Sequence, residues 1–359
     1  MIYGAYGYTG ELIARHAVAR GHRPVLAGRD ARKLERLARE LDLPSVSVAL
    51  DDPAALGRAL SQVERVCHTA GPFVHTAEPM LAACLAVGTH YVDITGELPV
   101  FRRIFAEHEP AQRRGVALLS GAGFDVVPSD CLARFVAELV PGANELEIAF
   151  AALGRPSTGT AKASLEGILR GNYRRSGGVL EEIPLGQGVR EVQFSDRRRT
   201  VLPIPWGDLE TAYRTTAIAN ITTYMAVPST AARLLGQALP VTSRLWPKLS
   251  SVLSRPAIRE TLLSMIEKHV TNPGEQDRAS GRAYLWARAS AADGRSREAW
   301  LETSDGYVFT AESAVLIMER LAASRLTGAL TPAAAFGADF VLEVGGSKRH
   351  EQLPASARR

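Results

Sequence analysis

The run Gly4-Ala5-Tyr6-Gly7-Tyr8-Thr9-Gly10 constrains this chain more than any other feature. It stands between the apolar Met1–Tyr3 and an amphipathic stretch, Glu11–Arg20, and reads as strand, tight turn, helix. Such a turn lets backbone N–H groups and a helix N-terminus meet a pyrophosphate, and a side chain at Gly4 or Gly7 would hold the phosphates away. The spacing is GxxGxxG, a variant of GxGxxG. Glycines alone also serve ordinary turns. The strand–turn–helix context is what assigns Gly4, Tyr6, Gly7, Tyr8, Thr9 and Gly10 to a dinucleotide.

The same alternation continues along the chain. Pro24–Ala27, Val46–Leu50, Val63–Thr69, His90–Ile94 and Val116–Ser120 are short apolar runs. Between them Arg32–Glu40, Pro53–Leu60, Met80–Val87 and Phe101–Arg113 carry helical patterns. Strands alternating with helices mean βαβ units and a parallel sheet. From about Asn144 the texture changes. Glu145–Ala152, Val189–Phe194, Ala283–Ala292 and Ser296–Thr303 look like strands, the last two a hairpin around Asp293-Gly294, and Ala311–Ser324 reads as a long apolar helix. A length of 359 residues suits two domains. The expected fold class is α/β, a Rossmann-type doubly wound parallel sheet with an inserted α+β substrate domain. Its parts are a dinucleotide-binding domain over 1–130, an α+β substrate or oligomerisation domain over 131–310, and a C-terminal segment over 311–359 that packs back on the first domain.

Charge and composition narrow the partners. Forty-two basic residues face 38 acidic ones, a net +4, with no basic stripe interleaved with aromatics, so nucleic acid is disfavoured. Cys67, Cys84 and Cys131 have no CxxC or Cys/His spacing and the histidines are scattered, which argues against a disulfide framework and against a metal site. With no basic-then-apolar leader at the start, a cytoplasmic location is expected. Thr215–Ala232 is too polar for a spanning helix. The apolar and basic stretch 231–253 has four readings: an amphipathic helix pair covering the second domain, a homodimer contact, a peripheral lipid contact, or a way in for a hydrophobic substrate.

Arg29, at the end of the second strand, stands roughly 20 residues past the glycines, where NAD enzymes place an acid for the ribose hydroxyls. With Arg32 and Lys33 one turn on, Arg29 suits a 2′-phosphate, and NADP(H) is the expected cofactor. Asp30 reads as a helix N-cap. Asp51 or Asp52 could accept from the adenine amine or cap the helix at Pro53. The turn Ala70-Gly71-Pro72-Phe73, after the fourth strand, would pass close to the nicotinamide ribose.

The segments YGAYGYTGELIA, LAGRDARKLERLA, HTAGPF, THYVDITGE and GAGFDVVPSD resemble, in order and spacing, the saccharopine dehydrogenase-like oxidoreductase family. Within it the chain looks most like the branch with the mycobacterial trans-acting enoyl reductases. The match is dense over residues 3–133 and thinner afterwards. The resemblance implies an NADP-binding Rossmann domain, an inserted α/β substrate domain and a final segment returning to the first domain. It also points to Asp125 as the acidic site residue after the sixth strand. By position, His68, His75, Tyr91, Asp93, Glu97 and Asp125 are supplied by the ends of strands four to six. Asp125, Tyr91 and His75 are the catalytic candidates, set against helix capping for Asp125, a structural polar group for Tyr91 and a solvated loop position for His75. Lys162 could reach an anionic substrate group. The expected activity is NADP(H)-dependent reduction of a C=C bond in a hydrophobic acyl or polyketide-like small molecule. The alternatives are C=N chemistry of the imine or saccharopine type on an amino-acid-like substrate, or a non-catalytic NADP(H) sensor or scaffold.

Overall fold

The computed structural model describes residues 1–152, 154–169, 171–184, 186–228 and 255–354. The apolar and basic stretch 231–253 therefore lies outside the described residues. The chain divides into two units, one formed by Met1–Val127 with Gly306–Gly345, the other by Pro128–Asp305 with the chain from Gly346 on.

The first unit alternates strand and helix: β1 (Ile2–Tyr3), α1 (Tyr8–Ala19), β2 (Leu26–Gly28), α2 (Ala31–Leu41), β3 (Ser45–Ser47), α3 (Pro53–Leu60), β4 (Arg65–His68), α4 (Phe73–Val87), β5 (His90–Asp93), α5 (Leu98–Ala106), α6 (His108–Arg113) and β6 (Ala117–Leu119). The strand order is β3-β2-β1-β4-β5-β6, all parallel, and a seventh strand, Gly328–Leu330, extends the sheet beside β6. Order reverses between β1 and β4, where Ile2 pairs with Leu26 on one side and with Cys67 on the other. A doubly wound sheet opens its ligand crevice at that point, beyond the carboxyl ends of the strands.

Local chemistry explains where the helices begin. Asp30 caps α2 by accepting from the Lys33 N–H at 3.1 Å, and Asp52 caps α3 by accepting from the Ala55 N–H at 2.9 Å. The core includes Leu56, Leu60, Met80, Leu81, Tyr91 and Phe101, all fully buried. Each such side chain contributes about 1.5–3 kcal/mol. The helix Gly306–Ala322 buries Phe309, Thr310, Ser313, Ala314, Ile317 and Leu321, a helical stripe, and packs along α1.

The second unit is built on a nine-stranded mixed sheet. Its path runs Arg190–Gln193, Arg198–Pro203, Asn220–Ala226, Glu145–Ala152, Arg282–Ser290, Ser296–Ser304, Lys348–His350, and the hairpin Asn172–Ser176/Val179–Ile183 branches from Asn220–Ala226. Trp286 faces Trp300 across the antiparallel pair expected around Asp293-Gly294. The chain's return differs from the expected 311–359. The segment that joins the first unit is Gly306–Gly345, and Lys348–His350 instead adds an edge strand to the second sheet, with His350 opposite Trp300. Backbone pairing at that open edge decides its place. Among the described residues no helix is long and apolar enough to cross a membrane.

Candidate active site

The glycine turn after β1 is shaped by contacts that leave no room for side chains. Gly4 has φ +84°, and a Cβ there would lie 2.8 Å from the Ala70 nitrogen, in the turn after β4. A Cβ on Gly10 would lie 2.4 Å from the Gly4 carbonyl oxygen and 2.7 Å from Thr69 Oγ1. The Gly7 N–H closes the turn on the Gly4 oxygen at 2.9 Å. Gly7, at the N-cap of α1, has no side chain to offer its N–H groups, and a helix N-terminus favours an anion. Tyr8 and Thr9, both half-buried, open that helix, and the Tyr8 ring meets Tyr307 edge-on at 5.0 Å. This cradle fits a dinucleotide pyrophosphate.

Arg29 and Lys33 are exposed just past β2, with the Lys33 ammonium 5.7 Å from the centre of the Tyr6 ring. That ring lies over Gly28, where a Cβ would stand 2.7 Å from Tyr6 Cε1. Because Asp52 caps α3, the exposed Asp51 is the carboxylate of this pair left for an adenine amine.

The Ala70–Phe73 turn has a cis Gly71–Pro72 peptide and leads straight into α4, seven residues before the Met80 start that the pattern suggests. The cause is distant in sequence. The Glu97 carboxylate accepts from the Phe73 N–H at 2.7 Å and the Val74 N–H at 3.0 Å, and so covers two donors at the helix start. Thr76 donates to the Ala70 oxygen at 2.6 Å, tying the turn from inside. Its Oγ1 lies 3.1 Å from His68 Nε2. Burial pushes His68 down to about 3, which keeps it neutral. His75 is exposed in the first turn of α4, on a helix rather than in a loop.

Tyr91 and Asp93 lie beneath this surface. Tyr91 is fully buried and donates to Asp93 Oδ2 at 2.7 Å, while Asp93 Oδ1 accepts from the Thr95 and Gly121 N–H groups at 3.1 and 2.9 Å and from the Ser120 hydroxyl at 2.8 Å. The pair ties the end of β5 to the loop after β6, and the Tyr91 hydroxyl is spent on that tie.

That loop carries Asp125. Its side chain packs on the β5–α5 connection, where a Cβ on Gly96 would lie 2.8 Å from Asp125 Oδ2. The half-buried carboxyl is pushed up to about 7, first by burial and then by the charge of Glu97. Two residues of the returning helix fix the loop. Thr310 Oγ1 accepts from the Phe124 N–H at 3.0 Å, and Ser313 donates to the Ala122 oxygen at 2.7 Å. The Ala70–Phe73 turn, Glu97 and Asp125 thus come together at the carboxyl ends of β4, β5 and β6. Lys162 belongs to the second unit, where its ammonium lies 3.1 Å from Glu267. The roles of Glu97, Gly96 and Gly28 had no local sequence signal, since each depends on a contact with a distant segment.

Comparison with known proteins agrees with this geometry. Residues 1–119 match the model of the saccharopine dehydrogenase NADP binding domain. A trans-acting enoyl reductase of Mycobacterium ulcerans is 34% identical over 138 residues, 36% of this chain and 33% of that protein. A putative trans-acting enoyl reductase of Mycobacterium tuberculosis is 34% identical over 157 residues, 41% of this chain and 37% of that one. The chain therefore spans about a third of the length of the curated relatives it matches. Among solved structures, the apo saccharopine dehydrogenase (L-Glu forming) of Saccharomyces cerevisiae superposes with a TM-score of 0.63 at 12% identity, covering 97% of this chain and 99% of that one. The homospermidine synthase of Legionella pneumophila gives 0.59 at 8%, covering 98% and 90%. At such identities the likeness is one of fold.

Proposed function

We propose, from the premise that residues 1–119 form an NADP-binding domain of the saccharopine dehydrogenase type, that the chain is an NADP(H)-dependent reductase. Its substrate in this reading is the C=C bond of a hydrophobic acyl or polyketide-like molecule, and Asp125 is the proton donor. One observation carries the reading: a carboxyl held near 7 stands at the carboxyl ends of the central strands, beside the turn that would flank the nicotinamide.

Saturating a C=C bond adds a hydride to one carbon and a proton to the other, and NADPH supplies the hydride when bound. The chain's own residues do the rest. Gly4, Gly7 and Gly10 with the start of α1 receive the pyrophosphate, Arg29 and Lys33 the 2′-phosphate, and Asp51 the adenine amine. Tyr6, Tyr8 and Thr9 border that cradle, and Ala70, Gly71, Pro72 and Phe73 bring backbone close to the nicotinamide ribose. Asp125, pushed up to about 7, is protonated in a large share of molecules at neutral pH and gives that proton to the carbon or oxygen on which negative charge develops. His75, exposed at the head of α4, edges the substrate, and Tyr91 acts from below by holding Asp93.

The partial likeness to enoyl reductases supports the C=C choice over C=N. Cys67, Cys84 and Cys131, all buried thiols outside any disulfide, go with a cytoplasmic setting. The test is NADPH consumption by the purified protein with enoyl thioesters, enones and cyclic imines, alongside Asp125→Asn. Turnover of the enoyl compounds, lost in the variant, is expected. Turnover of imines alone would move the reading to C=N chemistry. Tight NADPH binding with no turnover in any arm would leave a nucleotide sensor.

A further inference from the structure

We infer that Glu97 is a positioning residue that ties the order of the Ala70–Phe73 turn to the state of the Asp125 carboxyl. The inference rests on the reading of Asp125 as proton donor, and deepens it.

Glu97 stands just ahead of α5, yet its two carboxylate oxygens are spent on the first two N–H groups of α4, 24 and 23 residues earlier in the chain. A carboxylate on two helix-start N–H groups is a strong, charge-assisted cap. It fixes where Phe73 and Val74 stand, and with Thr76 on the Ala70 oxygen it closes the turn from both ends. The neighbouring Gly96 is the floor on which Asp125 rests, with no room for even a methyl group between them. One short connection, Gly96-Glu97, therefore carries both contacts. The Thr95 hydroxyl accepts from the Glu97 N–H at 3.0 Å, which holds that connection in place.

Two negative groups at such close quarters resist being ionised together. Glu97 is bound to two donors, and Asp125 is the carboxyl whose proton is held more tightly, first through burial and then through the charge of Glu97. The elements packed around Asp125 also carry Tyr91 and Asp93 on β5, Tyr307 and Glu312 on the returning helix, and Asp130 in the helix that follows Asp125. Asp93 is enclosed by Tyr91, Ser120 and backbone N–H groups, and Tyr307 pairs with Tyr8. Glu97 is the charge that adds to burial at Asp125. A correctly formed turn and a protonated acid are thereby secured by the same side chain.

The experiment uses the whole chain with Glu97→Gln and Glu97→Asp, and reads two things other than turnover. The first is the Asp125 titration, followed by carboxyl-carbon NMR and assigned with Asp125→Asn. The second is NADPH affinity by calorimetry. Glu97→Gln removes the charge and presents an amide to N–H donors, so the Asp125 midpoint should fall by about half a pH unit or more and NADPH affinity should drop about tenfold. Glu97→Asp keeps the charge but falls short of the turn, so the midpoint should stay near that of the wild type while NADPH affinity drops. A cap that merely supports the fold would lower stability in both variants and leave the Asp125 midpoint alone, which would overturn the inference. Because the Asp125 midpoint is read without substrate, failure to find an enoyl substrate bears on the proposed reaction and not on this coupling.

Discussion

Replacing Asp125 by Asn should stabilise the protein, and the gain should grow with pH. Burial, and then the charge of Glu97, raise this carboxyl from the ordinary 3.8 to about 7. The folded chain therefore holds a proton that the unfolded chain releases over that interval. With more protons bound in the folded state, stability falls as pH rises between the two values; below the lower one both states are protonated, and above the upper one both are ionised and the penalty is constant. Each pH unit is worth about 1.4 kcal/mol, so the wild type loses at most about 3 kcal/mol between pH 5 and pH 7. Water entry and local relaxation around a half-buried carboxylate reduce this to about 1–2 kcal/mol. The Asn variant has no such proton and escapes the loss. Urea unfolding of both proteins at pH 5, 6, 7 and 8.5 measures it, followed by circular dichroism because Trp286 and Trp300 sit in the second unit and would report on the wrong one. The variant's advantage should widen from pH 5 to pH 7 and then level off. An advantage that is constant across the series would refute a raised Asp125 and, with it, the proton-donor role.

Two further outcomes come from the packing. Gly10→Ala pushes a methyl group to 2.4 Å from the Gly4 oxygen and 2.7 Å from Thr69 Oγ1, which should cost about 1–3 kcal/mol of stability and at least about tenfold in NADPH affinity; thermal melting and calorimetry read both, and unaltered binding would mean the turn is not the phosphate cradle. Tyr91→Phe removes one donor from the buried Asp93, a loss of about 1–3 kcal/mol, while kcat stays near that of the wild type. A fall in kcat with an unchanged melting temperature would put the Tyr91 hydroxyl at the reacting atoms instead.

Much of the first unit was legible because its signals are local. The helix Pro53–Leu60 begins and ends where its Asp-Pro start and apolar spacing place it, and the strands β1 to β6 fall within a few residues of their apolar runs. The glycine cradle was legible for the same reason, since strand, turn and helix are contiguous. Elements fixed from a distance were not. The run Ala70–Phe73 reads as a loop that continues to Met80, whereas α4 begins at Phe73, where the Glu97 carboxylate accepts from its first two N–H groups. Phe101–Arg113 reads as one helix, but the chain forms Leu98–Ala106 and His108–Arg113 with a break at Glu107. In the second unit, Asn220–Ala226 falls in the run Thr215–Ala232, whose polarity only argues against a spanning helix, yet it lies inside the sheet, parallel to Glu145–Ala152. The hairpin at Gly177-Gly178, with φ +55° and +82°, did carry a local signal. Its charged strands, with Arg174 opposite Glu181, masked the alternation.

The central claim is that the first unit holds NADP(H) through the glycine turn and the basic residues after β2. The direct test is calorimetric titration of the full chain with NADPH and with NADH, repeated on Arg29→Ala. NADPH should bind the wild type at least about tenfold more tightly than NADH, the margin expected of a charge-assisted contact to the 2′-phosphate. The variant should lose that margin while its NADH affinity stays the same. Equal binding of the two cofactors, or a preference that survives the loss of Arg29, would contradict the account.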